Sequence, residues 1–335
     1  MMASEQSSAQ TNRQVLAVDL GGTNLRVAVV GMDGSLTHRK HAPTAAELGP
    51  ASVLERMAEL IQTVADDAGL AADASVGIAS PGPINPRTGV VYFTPNLLGW
   101  LNVPLGPTIE RLTGRVTVTG NDANCAGLGE VAFGAAKGAT DVIYLGIGTG
   151  VGGAVISGGH LVDGVRGLGA ELGHMCVAMD GPRCTCGGLG CLEAYVAGWA
   201  IARDGELAAT TADGAAILRA AKGKRIDAGT IAAAAREGDE MARTLLARAG
   251  RALGVAIGTL TNIFNPQLVV VGGGVARVGE YLLQPAREIV SSHSFHAMRD
   301  DMRMVEAKLG DDGGLFGAGA MALRAPLRET VPART

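Results

Sequence analysis

Between Glu171 and Glu193, which bracket the segment, the chain gathers one imidazole and four thiols, three of them closely spaced. Cys184, Cys186 and Cys191 follow a C-x-C-x4-C spacing, and His174 lies ten residues before the first of them. Three thiolates and one imidazole form the donor set of a closed tetrahedral zinc site. The glycines among them let the chain double back without Cβ clashes. A disulfide inside Cys-x-Cys would close a small strained ring. Residues Met1–Arg13 are polar and lack the apolar core of a secretion signal. A reducing compartment is therefore expected, where metal binding outranks disulfides. Four protein ligands leave no open position for water, so the expected Zn2+ is structural. Folding around it would bring Glu171 and Glu193 close together.

Three glycine-rich segments follow short apolar runs. In Asp19-Leu-Gly-Gly-Thr-Asn-Leu-Arg26, Gly21 and Gly22 would let backbone N–H groups approach phosphate oxygens, and Thr23 adds a hydroxyl donor. Asp19 is placed to hold Mg2+ through water. Taken alone, the segment is equally an ordinary hairpin turn. Gly146-Ile-Gly-Thr-Gly150 repeats the pattern, with Gly148, Thr149 and Gly150 at the turn. Gly272, Gly273 and Gly274 follow an apolar run and on their own suit a turn into the next helix. Asn121-Asp122 ends another apolar run. A carboxylate there suits a general base, and the same pair suits a helix N-cap. Asn96, in Thr94-Pro-Asn-Leu-Leu-Gly-Trp100, can donate to and accept from neighbouring hydroxyls.

The elements that must position these residues read as a mixed α/β chain. Gln14–Asp19 and Leu25–Val30 form a β-meander, Ala51–Ala68 has the apolar spacing of an amphipathic helix, and Ser75–Ala79 leads into the stiff Ser80-Pro-Gly-Pro83 loop. The strand, Gly/Thr turn and strand at 141–156 echo the opening meander, which predicts a duplicated α/β domain with a cleft between the halves. The expected division is a disordered tail over 1–13, an N-terminal α/β domain over 14–118 and a C-terminal α/β domain with the metal motif over 119–313. A terminal helix and tail over 314–335 could pack back on the first domain. The 335 residues are 47% hydrophobic but only 3% aromatic, so packing must run through Ala, Val and Leu. A net charge of −4 argues against nucleic acid or an anionic membrane as partner. No apolar run approaches a membrane span, and the expected location is the cytoplasm.

These motifs together resemble the ROK (repressor, open reading frame, kinase) family of sugar kinases, over nearly the whole chain. The resemblance implies an actin-like ATPase (ribonuclease H-like) fold of two α/β domains. It implies MgATP across Gly21–Thr23, Gly148–Gly150 and Gly272–Gly274, and a hexose on Asn96, Asn121, Asp122, Glu171, His174 and Glu193. Asp122 would be the general base for the 6-hydroxyl, and His174 would use one ring nitrogen on zinc and the other on the sugar. The Pro-Asn-Leu-x-Gly-Trp form is similar to ROK glucokinases, so D-glucose is the first expected substrate. Fructose, mannose, allose, N-acetylglucosamine and N-acetylmannosamine are alternatives on the same scaffold. Polyphosphate-dependent relatives generally lack the zinc cluster, which favours ATP as donor. ROK repressors carry a winged helix-turn-helix before the first phosphate motif; here eighteen residues that are not basic precede Asp19, which disfavours a sugar-sensing regulator. Relatives imply a homo-oligomer, dimer or tetramer. Asn85 stands where many relatives carry Asp. Arg26 serves either a structural ion pair or substrate, Cys125 reads as a buried small side chain, and the other five histidines show no ligand spacing.

Overall fold

In the computed structural model the described residues are 13–94, 97–298 and 303–325, so Asn96 lies outside them. They pack as two units: 13–138 with 161–169 and 311–325, and 139–160 with 170–310.

The first unit is built on β1 (Gln14–Leu20), whose residues alternate between two buried faces. β1 pairs antiparallel with β2 (Asn24–Gly31) and parallel with β4 (Val76–Ser80); β2 also pairs antiparallel with β3 (Leu36–Pro43). β5 (Ile84–Asn85), β6 (Val90–Phe93) and β7 (Leu101–Val103) form a separate antiparallel ribbon. β8 (Thr117–Asn121) completes the main sheet beside β4, giving the order β3-β2-β1-β4-β8. Because β8 pairs with β4, residues through 138 belong to the first unit, and the boundary at 118 read from the turn pattern falls inside this strand.

On one face of the sheet Leu16, Val18 and Leu20 pack against Val53, Met57 and Ile61 of α1 (Gly49–Asp67) and Ile109 of α2 (Leu105–Thr113). On the other, Val15 and Ala17 pack against Cys125 of α3 (Asp122–Phe133) and against Leu315, Ala318 and Ala322 of the C-terminal helix Gly313–Arg324. Pro50 in the first turn of α1 fixes a helical φ where no N–H partner is needed, so the helix starts two residues before the apolar pattern does.

The second unit repeats the design. β9 (Val142–Ile147) pairs antiparallel with β10 (Val151–Ser157), β11 (His160–Leu161) lies at the edge, and β12 (Leu268–Gly272) runs parallel to both β9 and β13 (Arg303–Glu306). The order β11-β10-β9-β12-β13 matches the first sheet strand for strand. Its core is aliphatic and Ala-rich, drawn from α4 (Glu193–Val196), α5 (Gly198–Ala208), α6 (Ala215–Ala221), α7 (Ala228–Arg236), α8 (Glu240–Phe264) and α9 (Glu280–His293). Among the described residues no helix is long and apolar enough to cross a membrane.

With so few aromatic residues, elements approach to backbone contact. A Cβ on Gly317 of the C-terminal helix would lie 1.6 Å from the Cys125 carbonyl oxygen of α3, and one on Gly77 would lie 1.9 Å from that of Ala318. Gly317→Ala would gain about 1 kcal/mol of helix propensity but must push two backbones apart, an overpacking cost of about 3 kcal/mol. The expected net result is a lower urea midpoint for Gly317→Ala. An unchanged or raised midpoint would contradict the close helix crossing.

Candidate active site

The metal-ligand cluster forms as its spacing requires. Cys184 Sγ lies 3.7 Å from His174 Nδ1, Cys186 Sγ lies 3.7 Å from Cys191 Sγ, and all four donor atoms fall within 4.8 Å of one another. A tetrahedron with arms of about 2.3 Å has edges of about 3.8 Å, so this donor set fits Zn2+. The loop is closed by the Cys184 N–H donating to the Gly188 carbonyl (2.8 Å) and the Gly187 N–H to the Cys184 carbonyl (3.0 Å). Gly190 has φ +65°, and a Cβ there would sit 1.6 Å from the Ala178 carbonyl oxygen. Burial pushes the Cys184 thiol up and the Cys191 thiol up to about 12, while the Gly188 backbone N–H holds Cys186 below its ordinary value. Coordination would override this spread, because a zinc-bound thiol is deprotonated.

Glu193 opens α4 beside the cluster and is buried. Its Oε1 accepts from the Thr185 hydroxyl (3.2 Å) and lies 3.7 Å from Cys184 Sγ. Its Oε2 accepts from the Val151 N–H (2.9 Å), immediately after the Gly148-Thr-Gly150 turn. A Cβ on Gly150 would lie 2.7 Å from that oxygen, so the glycine makes room for the carboxylate. The same turn is held by the Gly198 N–H donating to the Gly148 carbonyl (2.8 Å). Behind Val151 packs the single turn Leu172–His174, where a Cβ on Gly173 would meet the Val151 carbonyl oxygen at 2.2 Å. Glu171 and His174, at either end of that turn, are exposed, as is Thr149. Gly273 has φ +88° and no room for a Cβ, which would meet the Ile147 carbonyl oxygen at 2.3 Å. Gly272–Gly274 therefore lies against the strand end that carries Gly148–Gly150. The second unit thus unites its two glycine loops, Glu171, His174, Glu193 and the metal ligands in one bonded framework.

In the first unit Asn121 caps α3: its Oδ1 accepts from the N–H groups of Ala123 (3.0 Å) and Asn124 (3.2 Å), and its Nδ2 donates to the Gly82 carbonyl (3.2 Å). The helix N-cap reading of the Asn-Asp pair is the one that forms, by Asn121, and Asp122 is exposed on the first turn, accepting from the Ala123 N–H (2.7 Å). The Gly21 N–H donates to the Asn24 carbonyl (2.9 Å), closing the first glycine turn, and the Thr44 hydroxyl donates to the Gly21 carbonyl (2.7 Å). Gly22 and Thr23 are exposed at the tip. Arg26 is in an ion pair: its Nε donates to Asp19 Oδ2 (3.0 Å), and its Nη2 donates to the Asp311 carbonyl (2.7 Å) at the foot of the C-terminal helix. Burial raises the Asp19 carboxyl above its ordinary value, against the pull of Arg26. Asn85 is occupied locally, its Oδ1 accepting from the Arg87 N–H (3.0 Å) and its Nδ2 donating to the Tyr92 hydroxyl (3.3 Å).

Sequence reasoning missed the Val151 N–H and Thr185 as partners of Glu193, and it passed over Cys176, whose backbone bridges to Cys191. The one trace of the first in the sequence is Gly150, where a side chain would displace the carboxylate.

The sequence profile of the ROK family matches residues 15–325. A glucokinase of Thermotoga maritima is 38% identical over 309 residues, covering 92% of this chain and 96% of that protein. An N-acetylmannosamine kinase of Shigella flexneri is 35% identical over 315 residues, covering 92% and 98%. The crystal structure of a ROK family glucokinase from Streptomyces griseus in complex with glucose and AMPPNP matches with a TM-score of 0.77 at 31% identity, covering 93% of this chain and all (100%) of that one. The two matching sheets are those of the actin-like, ribonuclease H-like sugar kinase fold. On motif, fold and whole-length similarity, the chain belongs to the ROK family.

Proposed function

We propose that this protein is an ATP-dependent hexose kinase that transfers the γ-phosphoryl group to a sugar 6-hydroxyl, with D-glucose as the preferred sugar. The observation that carries the reading is the start of α3, where Asn121 locks the helix cap and leaves Asp122 exposed on the first turn. A helix N-terminus favours an ionised carboxylate, which is the form a base needs. Asp122 takes the proton of the 6-hydroxyl as that oxygen attacks phosphorus, in a transfer governed by positioning and charge stabilisation. The Asn121 amide has a second N–H beyond the one given to Gly82 and offers it to the sugar. Asn96, Glu171 and Glu193 bind further hydroxyls. His174 turns Nδ1 toward Cys184, which leaves Nε2 for the sugar.

For the nucleotide, Gly21–Thr23 and Gly148–Gly150 supply N–H and hydroxyl donors to the phosphates, and Gly272–Gly274 gives room to the adenosine. Asp19 would hold a hydrated Mg2+, which when bound would supply charge neutralisation to the phosphates. His174, Cys184, Cys186 and Cys191 would hold Zn2+ as a structural ion, and the loop closed around it would keep Glu193 and His174 in place. We further propose a cytoplasmic homo-oligomer, dimer or tetramer, on the strength of the family resemblance. A second reading, phosphorylation of an N-acetylated hexosamine, is supported by the Shigella flexneri relative.

Initial-rate ADP formation with MgATP across a panel of hexoses and N-acetylhexosamines tests the substrate. Glucose is expected to give a kcat/KM about tenfold above the others, a difference of about 1.4 kcal/mol. A higher value for N-acetylmannosamine would replace the sugar and keep the chemistry, and no turnover with any sugar would remove the kinase reading. Asp122→Asn is expected to bind glucose normally in calorimetry while kcat falls about 1,000-fold. Near-normal kcat in that variant would take the base role away from Asp122.

A further inference from the structure

We infer that Cys176 and Cys191 form a redox-active thiol pair, in which oxidation makes a cross-strand disulfide that withdraws Cys191 from the metal cluster. Cys176 lies outside the C-x-C-x4-C motif and is not among the four clustered donors. Its backbone is bridged antiparallel to Cys191. The flanking bonds fix the type of pairing: the Val177 N–H donates to the Gly190 carbonyl (2.8 Å), and the Leu192 N–H donates to the Met175 carbonyl (2.9 Å). Both bonds lie one residue out from the cysteines, so Cys176 and Cys191 are a non-hydrogen-bonded pair. Such pairs hold their Cα atoms about 4.5 Å apart with side chains on one face, inside the roughly 4.4–6.8 Å range that a disulfide spans. Cys176 is exposed and Cys191 is buried, so one thiol is accessible to an oxidant and its partner belongs to the four-donor cluster.

The oxidant is hydrogen peroxide. The Cys176 thiolate attacks one peroxide oxygen, giving a sulfenic acid and, after protonation, one water. The Cys191 thiolate then attacks the sulfenic sulfur; the S–S bond forms and hydroxide leaves, taking a proton to become a second water. Two thiols lose two protons and two electrons, and one peroxide becomes two waters. Three donors remain, which is no longer a closed tetrahedral site. Glu193, two residues past Cys191, carries the disturbance to Val151 and the second glycine loop. The effect on turnover rests on the kinase reading above; the disulfide and the loss of metal do not.

The test uses the full-length, zinc-loaded protein exposed to hydrogen peroxide. Zinc release is followed with a chromogenic chelator, and linked peptides are mapped without reduction. Trypsin cuts after Arg166, Arg183 and Arg203, so Cys176 falls on a different peptide from the three cluster cysteines. The expected result is a 167–183 peptide joined to 184–203 with two hydrogens lost, fragmentation placing the bond at Cys191, and zinc release and its reversal by dithiothreitol following the bond. Cys176→Ser and Cys176→Ala, each first shown to carry the same zinc content when reduced, should release zinc about tenfold more slowly. Wild-type release rates in both variants, or bonds formed only within 184–203, would overturn the inference. None of these readouts uses turnover, so a failure here is separable from a failure of the kinase assignment.

Discussion

One buried carboxylate organises the second unit. A carboxylate removed from water must be given donors, and Glu193 finds them in the Val151 N–H and the Thr185 hydroxyl. Thr185 stands between two metal ligands, and Val151 follows the second glycine turn. The single side chain therefore ties the loop that a metal would hold to the loop proposed to meet phosphate. Gly150 and Gly173 are needed around this contact because a Cβ on either would collide with Glu193 or Val151. The charge-assisted bond to a backbone N–H is of the stronger kind, and through it an ion held by the cluster would bear on the second glycine turn.

The same economy runs through the rest of the chain. Both sheets have an antiparallel hairpin on one side of the central strand and a parallel strand on the other, so each presents a glycine turn at the end of its first strand. In the first unit the small-residue crossing of α3 and the C-terminal helix keeps Asp312 within reach of Arg26, which in turn pairs with Asp19. In the second, glycines along α8 allow α9 to approach closely: a Cβ on Gly250 would meet the Leu282 carbonyl oxygen at 2.3 Å. Small residues replace aromatic bulk as the means of packing.

The local parts of this arrangement were legible in the sequence. Cysteine spacing revealed the metal-ligand cluster because the donors sit within one short loop. The strand, glycine turn and strand pattern announced both hairpins, since register in a tight turn is set by adjacent residues. What sequence reasoning missed depends on contacts between distant segments. Arg26 was ambiguous until the C-terminal helix brought Asp311 and Asp312 to it. The pairing of β8 with β4, which keeps Asn121 and Asp122 in the first unit, carries no local mark. Cys176 has no motif spacing, and only the backbone bridge reveals what it faces. Asn96, read from a tryptophan-containing loop, lies outside the described residues.

If Glu193 couples metal ligation to the second glycine loop, removing the metal must loosen the Val151 N–H. The most direct measurement is amide hydrogen exchange at Val151, compared between zinc-loaded and chelator-stripped protein without nucleotide or sugar. Stripping the metal is expected to speed exchange at Val151 about tenfold or more, because the acceptor of its N–H loosens with the loop. Equal protection in the two states would show that Glu193 is held independently of the metal, and the coupling would be wrong.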